Sequence, residues 1–366
     1  MQMCLGATYS WSVYVQPLKQ STGLLQGPVQ LPFTLFYFAF PLTMILAGQL
    51  LHRLGPRVCA VGGGVVFGCG WLLAGFGDVH FGYTILGIGL LAGIGVGFAY
   101  IVPIATSILW FPHHKGLVTG IAVAGFGGGA ALVSQAGAWL LTAQGATPFD
   151  TFRILGLVFM VLVAGAGLCM QPPPGVQMKR NRQFNLRQIV FHRRFGMHYL
   201  AMGCGLAAGF TVNANLKELF AGENLTAGVT AVGVFALANA FGRIAWGWLF
   251  DRLGGRTMVG ANLLFQALVL LLAPWILVSS RGLLLFAGLT GFNYGGVLVL
   301  YASSVATHWG SASLGQVYSL LFSANIPAAL APLLAGMVFD ATGSFIPALY
   351  AIALMILSAA LLHFRS

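Results

Sequence analysis

The chain has 366 residues, of which 58% are hydrophobic and only 6% are charged. Soluble globular domains carry about 25% charged residues, so this composition excludes the soluble classes and indicates a membrane protein. The net charge of +11 would suit a nucleic-acid partner, but the order of the charges along the chain indicates otherwise.

Twelve apolar segments are candidates to span a hydrocarbon core about 30 Å thick, which needs roughly 20 helical residues. They lie near residues 1–18, 28–51, 58–77, 82–110, 116–143, 152–171, 195–217, 225–250, 257–279, 282–307, 313–339 and 344–364. The sequence therefore predicts an all-α membrane protein with twelve transmembrane helices. Because the first segment lacks a basic start, we expect no cleavable signal peptide, and its abrupt beginning suggests that residues are missing before Met1.

The basic residues are concentrated in every second loop between the apolar segments. If both termini are cytoplasmic, the inner loops carry Arg53, Arg57, Lys115, Lys179, Arg180, Arg182, Arg187, Arg193, Arg194, Arg252, Arg256 and Arg365. The outer loops carry only Lys19, Arg153, Lys217 and Arg281, together with the acids Asp78, Asp150, Glu218, Glu223 and Asp340. This positive-inside asymmetry predicts cytoplasmic termini, a lipid bilayer as the partner and no nucleic acid.

The first segment is more polar than a lipid-facing helix, because it contains Tyr9, Trp11, Ser12 and Tyr14. These residues either line a cavity or form an interfacial aromatic belt, and the sequence leaves both open. The five cysteines are scattered and give no disulfide framework or metal site, so we expect them to be packing residues.

A repeat relates the two halves of the chain. The second segment ends in GQLLHRLGPR (48–57) and the eighth in GWLFDRLGGR (247–256), which align without a gap. The same offset pairs Trp110 with Trp309 and Gly116 with Gly315. This repeat predicts two six-helix bundles in the same orientation, residues 1–171 and 195–366.

The bundles are joined by residues 172–194, which begin with prolines and are basic. We expect a cytoplasmic tether facing the anionic inner leaflet, with a short surface helix suggested by Phe184, Leu186, Ile189 and Val190. Glycines recur every four residues at Gly89, Gly93 and Gly97, and again at Gly116, Gly120, Ala124 and Gly128. This spacing predicts close helix packing and not a nucleotide-binding loop.

The turn that ends each copy of the repeat resembles the GxxxDRxGRR turn of the major facilitator superfamily. In that family the turn latches the cytoplasmic side, and its acid pairs with arginine. The resemblance implies gating roles for Asp251, Arg252 and Arg256, and for Arg53 and Arg57 in the first copy. The first copy departs from the pattern because His52 stands where the family has aspartate.

Residues 110–129, WFPHHKGLVTGIAVAGFGGG, with GVGFAY before them, resemble the oxalate/formate antiporter branch, which is related to the monocarboxylate transporters. The resemblance implies a transporter of small carboxylates in the inner (plasma) membrane of a prokaryote. We also expect that the protein is not an enzyme, needs no cofactor and works as a monomer. We interpret His113 and His114, beside Lys115, as a solvated cluster and not as metal ligands.

Arg243 lies deep within the eighth apolar segment. An arginine at such a depth costs about 2.5–3.5 kcal/mol on insertion scales and needs a partner or a wet cavity. A structural ion pair is one explanation, yet all six acids are at segment ends or in loops. We therefore favour a substrate carboxylate, which a guanidinium matches with two parallel hydrogen bonds. Asn239, one turn earlier, can bond the carboxylate or hold the guanidinium, and it replaces an acid that monocarboxylate transporters have at what looks like this position.

Other candidates for the binding site are weaker. Tyr318, Phe322 and Asn325 recur at i, i+4 and i+7 and would share a helix face. Oxalate exchangers resemble this segment but carry a lysine where Asn325 stands. Two cations suit a dicarboxylate and one suits a monoanion. Because this chain keeps a single cation, we infer a monocarboxylate substrate. The remaining candidates are Tyr100 and Tyr294, as hydroxyl donors or packing residues, and Tyr14, Phe126, Leu298 and Tyr301 in the cavity wall.

The family resemblance, together with these residues, implies a secondary active transporter of L-lactate or pyruvate that moves a proton with the anion by alternating access. The substrate class comes from the resemblance. Exchange of anions, as in the oxalate/formate type, stays open because an unpaired arginine hinders the return of the empty carrier. A passive channel is disfavoured by the repeat. An enzyme is disfavoured because the sequence has no GxSxG, HExxH or phosphate-binding loop.

Overall fold

The computed structural model describes residues 1–24, 26–175, 186–216, 219 and 225–364, and within these ranges the regular structure is helical. Several predicted loop positions lie outside the described residues: Lys179, Arg180, Arg182, Phe184, Lys217, Glu218, Glu223 and Arg365. Two compact units can be distinguished in the chain. The predicted division into residues 1–171 and 195–366 stays a prediction.

Unit 1 consists of Met1–Trp110, Gly125–Asn181 and Ser311–Ser319. Its α-helices are α1 Gln2–Leu5, α2 Ser12–Thr22, α3 Gln26–Ala74, α4 Gly82–Thr84, α5 Gly93–Trp110, most of α6 Lys115–Thr142, α7 Pro148–Leu168, and the start of α14 Leu314–Phe322. A π-helical stretch, Ile85–Ala92, joins α4 to α5, and 3₁₀ turns occupy Gly6–Ser10 and Ser311–Ser313.

Helix α3 contains two of the predicted segments. Gly55 divides them with φ 79° and ψ 162°, a conformation outside the helical region that costs a glycine little. Gly254, at the same place in the second copy of the repeat, has φ 85° and separates α10 from α11 in unit 2. The two copies therefore share a backbone turn as well as a sequence pattern.

The predicted first segment is not one continuous helix, because α1 and α2 are separated by the 3₁₀ turn. Trp11 and Tyr14 are buried, at 2% and 0% exposed, so these two residues do not form an interfacial belt, whereas Tyr9 is 36% exposed. Tyr14 packs edge-on against Phe152 of α7 with ring centroids 5.0 Å apart, and Trp11 stacks on the same ring. Trp71 of α3 completes this aromatic core of unit 1.

The predicted glycine stripe of the fourth segment is confirmed. A Cβ on Gly93 would lie 2.8 Å from the Cβ of Ala39, and one on Gly97 would lie 2.7 Å from the Cβ of Thr43. Gly89 meets Leu35 and Pro32 in the same way. Small residues therefore let α3 and the α4–α5 helix approach closely, as they do in other membrane helices.

Unit 2 consists of Phe111–Ala124, Arg182–Gly310 and Leu320–Ser366. Its α-helices are the start of α6, α8 Leu186–Val190, α9 Arg193–Asn215, α10 Leu225–Leu253, α11 Gly255–Leu271, α12 Ala273–Ile276, α13 Ser280–His308, α15 Asn325–Ala328, α16 Ala331–Thr342 and α17 Ile346–Phe364. The predicted short helix of the linker is confirmed over α8.

Helices α10 and α13 cross at backbone contact in unit 2. A Cβ on Gly295 would lie 2.2 Å from the carbonyl oxygen of Asn239, and one on Gly242 would lie 2.0 Å from that of Phe292. Close approach of this kind needs glycine on both helices, and it fixes the part of α10 that carries the predicted site.

Nine helices within the described ranges are long and apolar enough to cross a membrane, counting α3 once. Helix α11 is apolar but shorter, with 17 residues. The eleventh predicted segment, 313–339, is divided into α14, α15 and the start of α16. The chain is therefore an all-helical protein with many membrane-spanning segments.

Candidate functional site

Arg243 lies near the middle of α10, ten residues before the helix ends at Leu253. Its side chain is 3% exposed. A guanidinium keeps its positive charge under all physiological conditions, so burial here removes a full charge from water. This residue is consequently the strongest candidate for a functional group in the membrane-spanning part of unit 2.

Two neutral oxygens accept hydrogen bonds from the Arg243 side chain. Nε donates to Oδ1 of Asn239 over 2.8 Å, and Nη1 donates to the carbonyl oxygen of Val123 on α6. Within the described residues, Nη2 donates no hydrogen bond. The guanidinium is thus oriented by two protein groups, and part of its donor set is left for another acceptor.

The described carboxylates are engaged elsewhere. Asp78 and Asp150 both pair with Arg153, at 2.7 and 2.8 Å. Both oxygens of Asp251 accept backbone N–H groups. Among the described side chains, then, no carboxylate forms an ion pair with Arg243. The structural ion-pair explanation finds no support in the described part of the chain.

Asn239 is 7% exposed and lies one helical turn before Arg243, as the spacing predicted. Its amide oxygen accepts a hydrogen bond from Nε of Arg243 and so orients the guanidinium, and a contact of Asn239 with a carboxylate stays a prediction. An asparagine oxygen supplies an acceptor without supplying a charge, and the positive charge therefore stays uncompensated by its neighbour.

The backbone around Arg243 is tightly packed on two sides. A Cβ on Gly120 of α6 would lie 2.4 Å from the carbonyl oxygen of Arg243, and one on Gly295 of α13 would lie 2.9 Å from its amide nitrogen. Because neither glycine can be enlarged without displacing α10, the position of the guanidinium is fixed by the helix backbones.

Tyr294 and Leu298 lie on α13 in the same unit and are 8% and 6% exposed. The Tyr294 ring stacks on Phe235 of α10 at 6.0 Å between centroids and meets Phe210 of α9 edge-on. Tyr294 thus belongs to an aromatic contact between three helices. Tyr301, further along α13, is 1% exposed, and its ring lies 6.0 Å from that of His198.

Tyr318 and Phe322 lie one turn apart on α14, and Asn325 begins the short helix α15 after a two-residue turn. The face predicted to be shared by these three residues stays a prediction. Pro327 explains the break, because it has no N–H for the carbonyl four residues earlier. The Asn325 amide, 8% exposed, donates instead to the carbonyl oxygen of Phe322 over 2.7 Å.

Two of the candidates in unit 1, Tyr100 and Phe126, belong to one aromatic group. Tyr100 of α5 is 1% exposed, and its ring meets Phe126 of α6 and Phe40 of α3 edge-on, at 5.1 and 5.3 Å. Gln2 donates to the carbonyl oxygen of Tyr100 over 3.0 Å. Tyr14 lies apart from this group, in the aromatic core around Phe152, and Tyr318 is fully buried.

The expected pairing of the latch acid with arginine is wrong for the described residues. Asp251 Oδ1 accepts the backbone N–H of Gly116 over 2.8 Å, and Oδ2 accepts that of Leu117 over 2.9 Å. A carboxylate at the beginning of a helix satisfies free N–H groups and interacts favourably with the helix dipole. Asp251 therefore caps α6 within unit 2.

The arginines of the two turns have other surroundings. Arg252 lies over the ring of Trp248, 4.1 Å from its centroid. Arg256 donates from Nη2 to the carbonyl oxygen of Phe364, at the end of α17. Arg53 and Arg57 are exposed, as are His113 and His114.

Sequence reasoning missed two polar features of unit 2. The first is the Val123 carbonyl oxygen, which no side-chain pattern can reveal. The second is a buried amide network in which Asn262 donates to Asn293 over 2.8 Å and Asn293 donates to Gln266 over 2.7 Å. Polar amides within apolar segments were the available signal for this network.

The family of this chain follows from a comparison of its sequence with known protein families. A model of the Major Facilitator Superfamily matches residues 1–325. The chain belongs to this superfamily. It is therefore a multi-pass membrane transporter and not an enzyme.

The relatives agree with the resemblance found at residues 110–129. The oxalate:formate antiporter of Oxalobacter formigenes is 26% identical over 343 residues, covering 90% of this chain and 80% of that protein. Monocarboxylate transporter 12-B of Danio rerio is 23% identical over 409 residues, covering 99% and 80%. The resemblance to the oxalate/formate and monocarboxylate branch is thereby confirmed.

A solved structure shows the same fold. The superfamily transporter FucP, in its outward conformation, matches with a TM-score of 0.76 over 100% of this chain and 98% of that chain. Its sequence is 16% identical, so this likeness concerns the helix arrangement alone.

Proposed function

We propose that the protein is a secondary active transporter of small monocarboxylates such as L-lactate and pyruvate, with Arg243 as the group that binds the carboxylate. The observation that carries the proposal is the buried guanidinium of Arg243, which two neutral oxygens hold and no described carboxylate neutralises. A substrate carboxylate supplies the missing negative charge and accepts the remaining N–H groups.

A single buried cation supports a substrate with a single negative charge. Of the described arginines on α10 to α17, Arg243 alone is buried within a membrane-spanning helix. Asn325 stands where the similar segment of oxalate exchangers has a lysine, and an asparagine supplies no charge. A dicarboxylate would leave one carboxylate unpaired in a site of low polarity, which is costly.

The other side chains of the proposed site take secondary roles. Asn239 orients Arg243, while Tyr294 and Leu298 of α13, and Phe322 and Asn325 near the end of α14, bound the anion. Tyr100, Phe126, Tyr14 and Tyr318 are the corresponding proposals in unit 1. Asp251, Arg252, Arg256, Arg53 and Arg57 are proposed to act in gating, with Asp251 acting as the cap of α6.

Coupling to a proton in the same direction, by alternating access, is the proposed mode of transport. Anion exchange of the oxalate/formate type is the second candidate, and one observation favours it. An arginine without a described counterion makes the empty carrier costly to reorient, so a second anion would have to occupy the site on the return.

The proposed setting is the inner (plasma) membrane of a prokaryote, with twelve transmembrane helices, both termini cytoplasmic and a single chain as the working unit. The basic residues of the predicted inner loops support this orientation.

Uptake of labelled L-lactate and pyruvate into proteoliposomes tests the function. We expect an inward proton gradient to drive accumulation of the label above its external concentration. Uptake that ignores the gradient but requires internal lactate, formate or oxalate would favour exchange. If neither a gradient nor an internal anion moves the label, the assignment to monocarboxylates is wrong.

A further inference from the structure

A small cavity in unit 2 lies away from the Arg243 site. Four helices line it, with Arg194 and His198 of α9, Gly255 and Arg256 of α11, Ser304 and His308 of α13, and His363 of α17. Its volume is about 50 Å³. One water needs about 10–15 Å³ on this measure, so the cavity has room for a group about the size of three to five waters.

The lining of this cavity is basic. It contains two arginines and three histidines, and none of the described lining residues is acidic. Arg194 and Arg256 carry fixed positive charges with planar sets of donors. Two guanidinium groups beside one small space repel each other, and an anion between them removes that repulsion.

Two buried polar atoms in the lining have no hydrogen-bond partner among the described residues, Nε2 of His198 and Oγ of Ser304. The two residues are 3% and 1% exposed. A buried polar atom without a partner costs about 1–3 kcal/mol, so two of them in one cavity indicate a ligand or ordered water.

The hydrogen-bonding capacity of His198 and Ser304 limits the chemical class of this ligand. Nδ1 of His198 lies 2.8 Å from the carbonyl oxygen of Arg194, which can only accept, so the proton of the neutral ring is on Nδ1. Nε2 of His198 is then an acceptor, whereas the Ser304 hydroxyl can donate. The matching ligand has several acceptor oxygens and one O–H donor.

We propose that this cavity binds a phosphate that retains a proton, either inorganic phosphate or the phosphomonoester headgroup of phosphatidic acid. Arg194, Arg256 and the Ser304 hydroxyl donate to its oxygens, and its P–OH donates to Nε2 of His198. The ligand ties together the ends of α9, α11, α13 and α17. It is a separate ligand from the transported carboxylate, because Arg243 and Asn239 do not line this cavity.

A metal ion is a poorer match for the same cavity. Three histidines line it, but within the described ranges no group of three metal-binding side chains is arranged to hold an ion. The two arginines would also repel a cation.

Inorganic phosphate and sulfate test the site in the purified full-length protein, freed of lipid. At equal ionic strength we expect phosphate to raise the melting temperature more than sulfate, because sulfate has no proton to donate to His198 near neutral pH. Arg194→Gln and Ser304→Ala should each weaken the phosphate effect about tenfold, since hydrogen bonds to charged groups have this magnitude. Arg193→Gln, an exposed neighbour that does not line the cavity, is the matched control.

Native mass spectrometry of the same variants from bilayers distinguishes the two sources of phosphate. Retention of phosphatidic acid over phosphatidylglycerol in the wild type and in Arg193→Gln, but not in Arg194→Gln, identifies a lipid ligand. Stabilisation by inorganic phosphate without this retention identifies the free ion. Equal stabilisation by sulfate, or no response to phosphate together with no selective retention, overturns the proposal.

Discussion

Arg243 is the residue whose chemistry the transport proposal depends on. Its guanidinium is held by Asn239 and by the Val123 carbonyl oxygen, and these contacts fix the direction of the remaining N–H groups. Lysine would keep the charge but lose the planar fork that binds a carboxylate with two parallel bonds.

We expect Arg243→Lys to reduce lactate uptake at least about tenfold, the cost of one lost charge-assisted hydrogen bond, and Arg243→Ala to abolish uptake. Initial rates in proteoliposomes measure this effect, and size-exclusion profiles check that both variants are folded. Arg281→Lys, the same change at an exposed position at the start of α13, is the control. Unchanged uptake by Arg243→Lys would contradict the role of the fork.

Asn239 gives a second prediction at this scale. In Asn239→Asp a carboxylate would stand one helical turn from Arg243, where the asparagine oxygen now accepts from Nε over 2.8 Å. The new acid would neutralise the guanidinium and compete with the substrate, so we expect about tenfold weaker lactate binding and a higher melting temperature.

Binding to the purified Asn239→Asp protein can be followed by thermal shift against lactate concentration. Asn239→Leu, which removes the acceptor without adding charge, separates competition from loss of orientation. If Asn239→Asp bound lactate as tightly as the wild type, the substrate would not be the counterion of Arg243.

At the scale of single helices, a carboxylate of α10 caps the first turn of α6. Asp251 accepts the N–H groups of Gly116 and Leu117, and Gly116 and Gly247 meet at backbone contact. A carboxylate at such a position stabilises a helix by about 0.5–2 kcal/mol.

We therefore expect Asp251→Asn to lower the melting temperature by a few degrees, because the amide keeps one acceptor and loses the charge. Asp78→Asn makes the same change in an exposed ion pair with Arg153, and such pairs contribute about 0–1 kcal/mol. A smaller effect at Asp251 than at Asp78 would contradict the capping role.

The crossing of α10 and α13 gives another prediction. In Gly295→Ala the new Cβ would lie 2.2 Å from the carbonyl oxygen of Asn239, so the helices would have to separate next to Arg243. We expect strong destabilisation and loss of uptake, measured by thermal unfolding and transport. Gly288→Ala on the same helix, with 3.6 Å to Val234, should be tolerated. Equal tolerance at both glycines would show that the crossing does not need close contact.

Periodicity predicted these helices well where small residues repeat and poorly where proline intervenes. The stripe of Gly89, Gly93 and Gly97 packs as expected, but a Cβ on Gly128 would meet no described atom outside its own helix within 4 Å. A four-residue spacing shows which residues share a face, and it does not show where a partner helix diverges. The interruption before Asn325 follows from Pro327, because a proline has no N–H for the helical hydrogen-bond pattern.

At the scale of the whole molecule, composition and the 48–57 and 247–256 repeat were sufficient to predict an all-helical, multi-pass transporter. Arg243 could be found because a charge in an apolar segment is conspicuous. Its partner Val123 could not, because a backbone carbonyl becomes available only through the packing of α6 on α10.

The proposed topology is testable at this scale. We expect a single cysteine at His113 or Arg57 to react with a membrane-impermeant maleimide only in inside-out vesicles, and one at Arg281 only in right-side-out cells. A background lacking the five native cysteines is needed, because Cys69 and Cys169 are exposed. Labelling of His113 and Arg281 positions from the same side would refute the assignment of inner and outer loops.

The backbone contact between Gly116 and Gly247 has a practical consequence for redesign. Peptide groups meet there without intervening side chains, so neither glycine presents a side chain to a transported substrate. Gly247 lies on the same helix as Asn239 and Arg243, about one turn beyond Arg243 and two turns beyond Asn239. Libraries that vary the substrate-binding positions of α10 can therefore keep Gly116 and Gly247 constant. The contact that positions α10 against α6 is then retained.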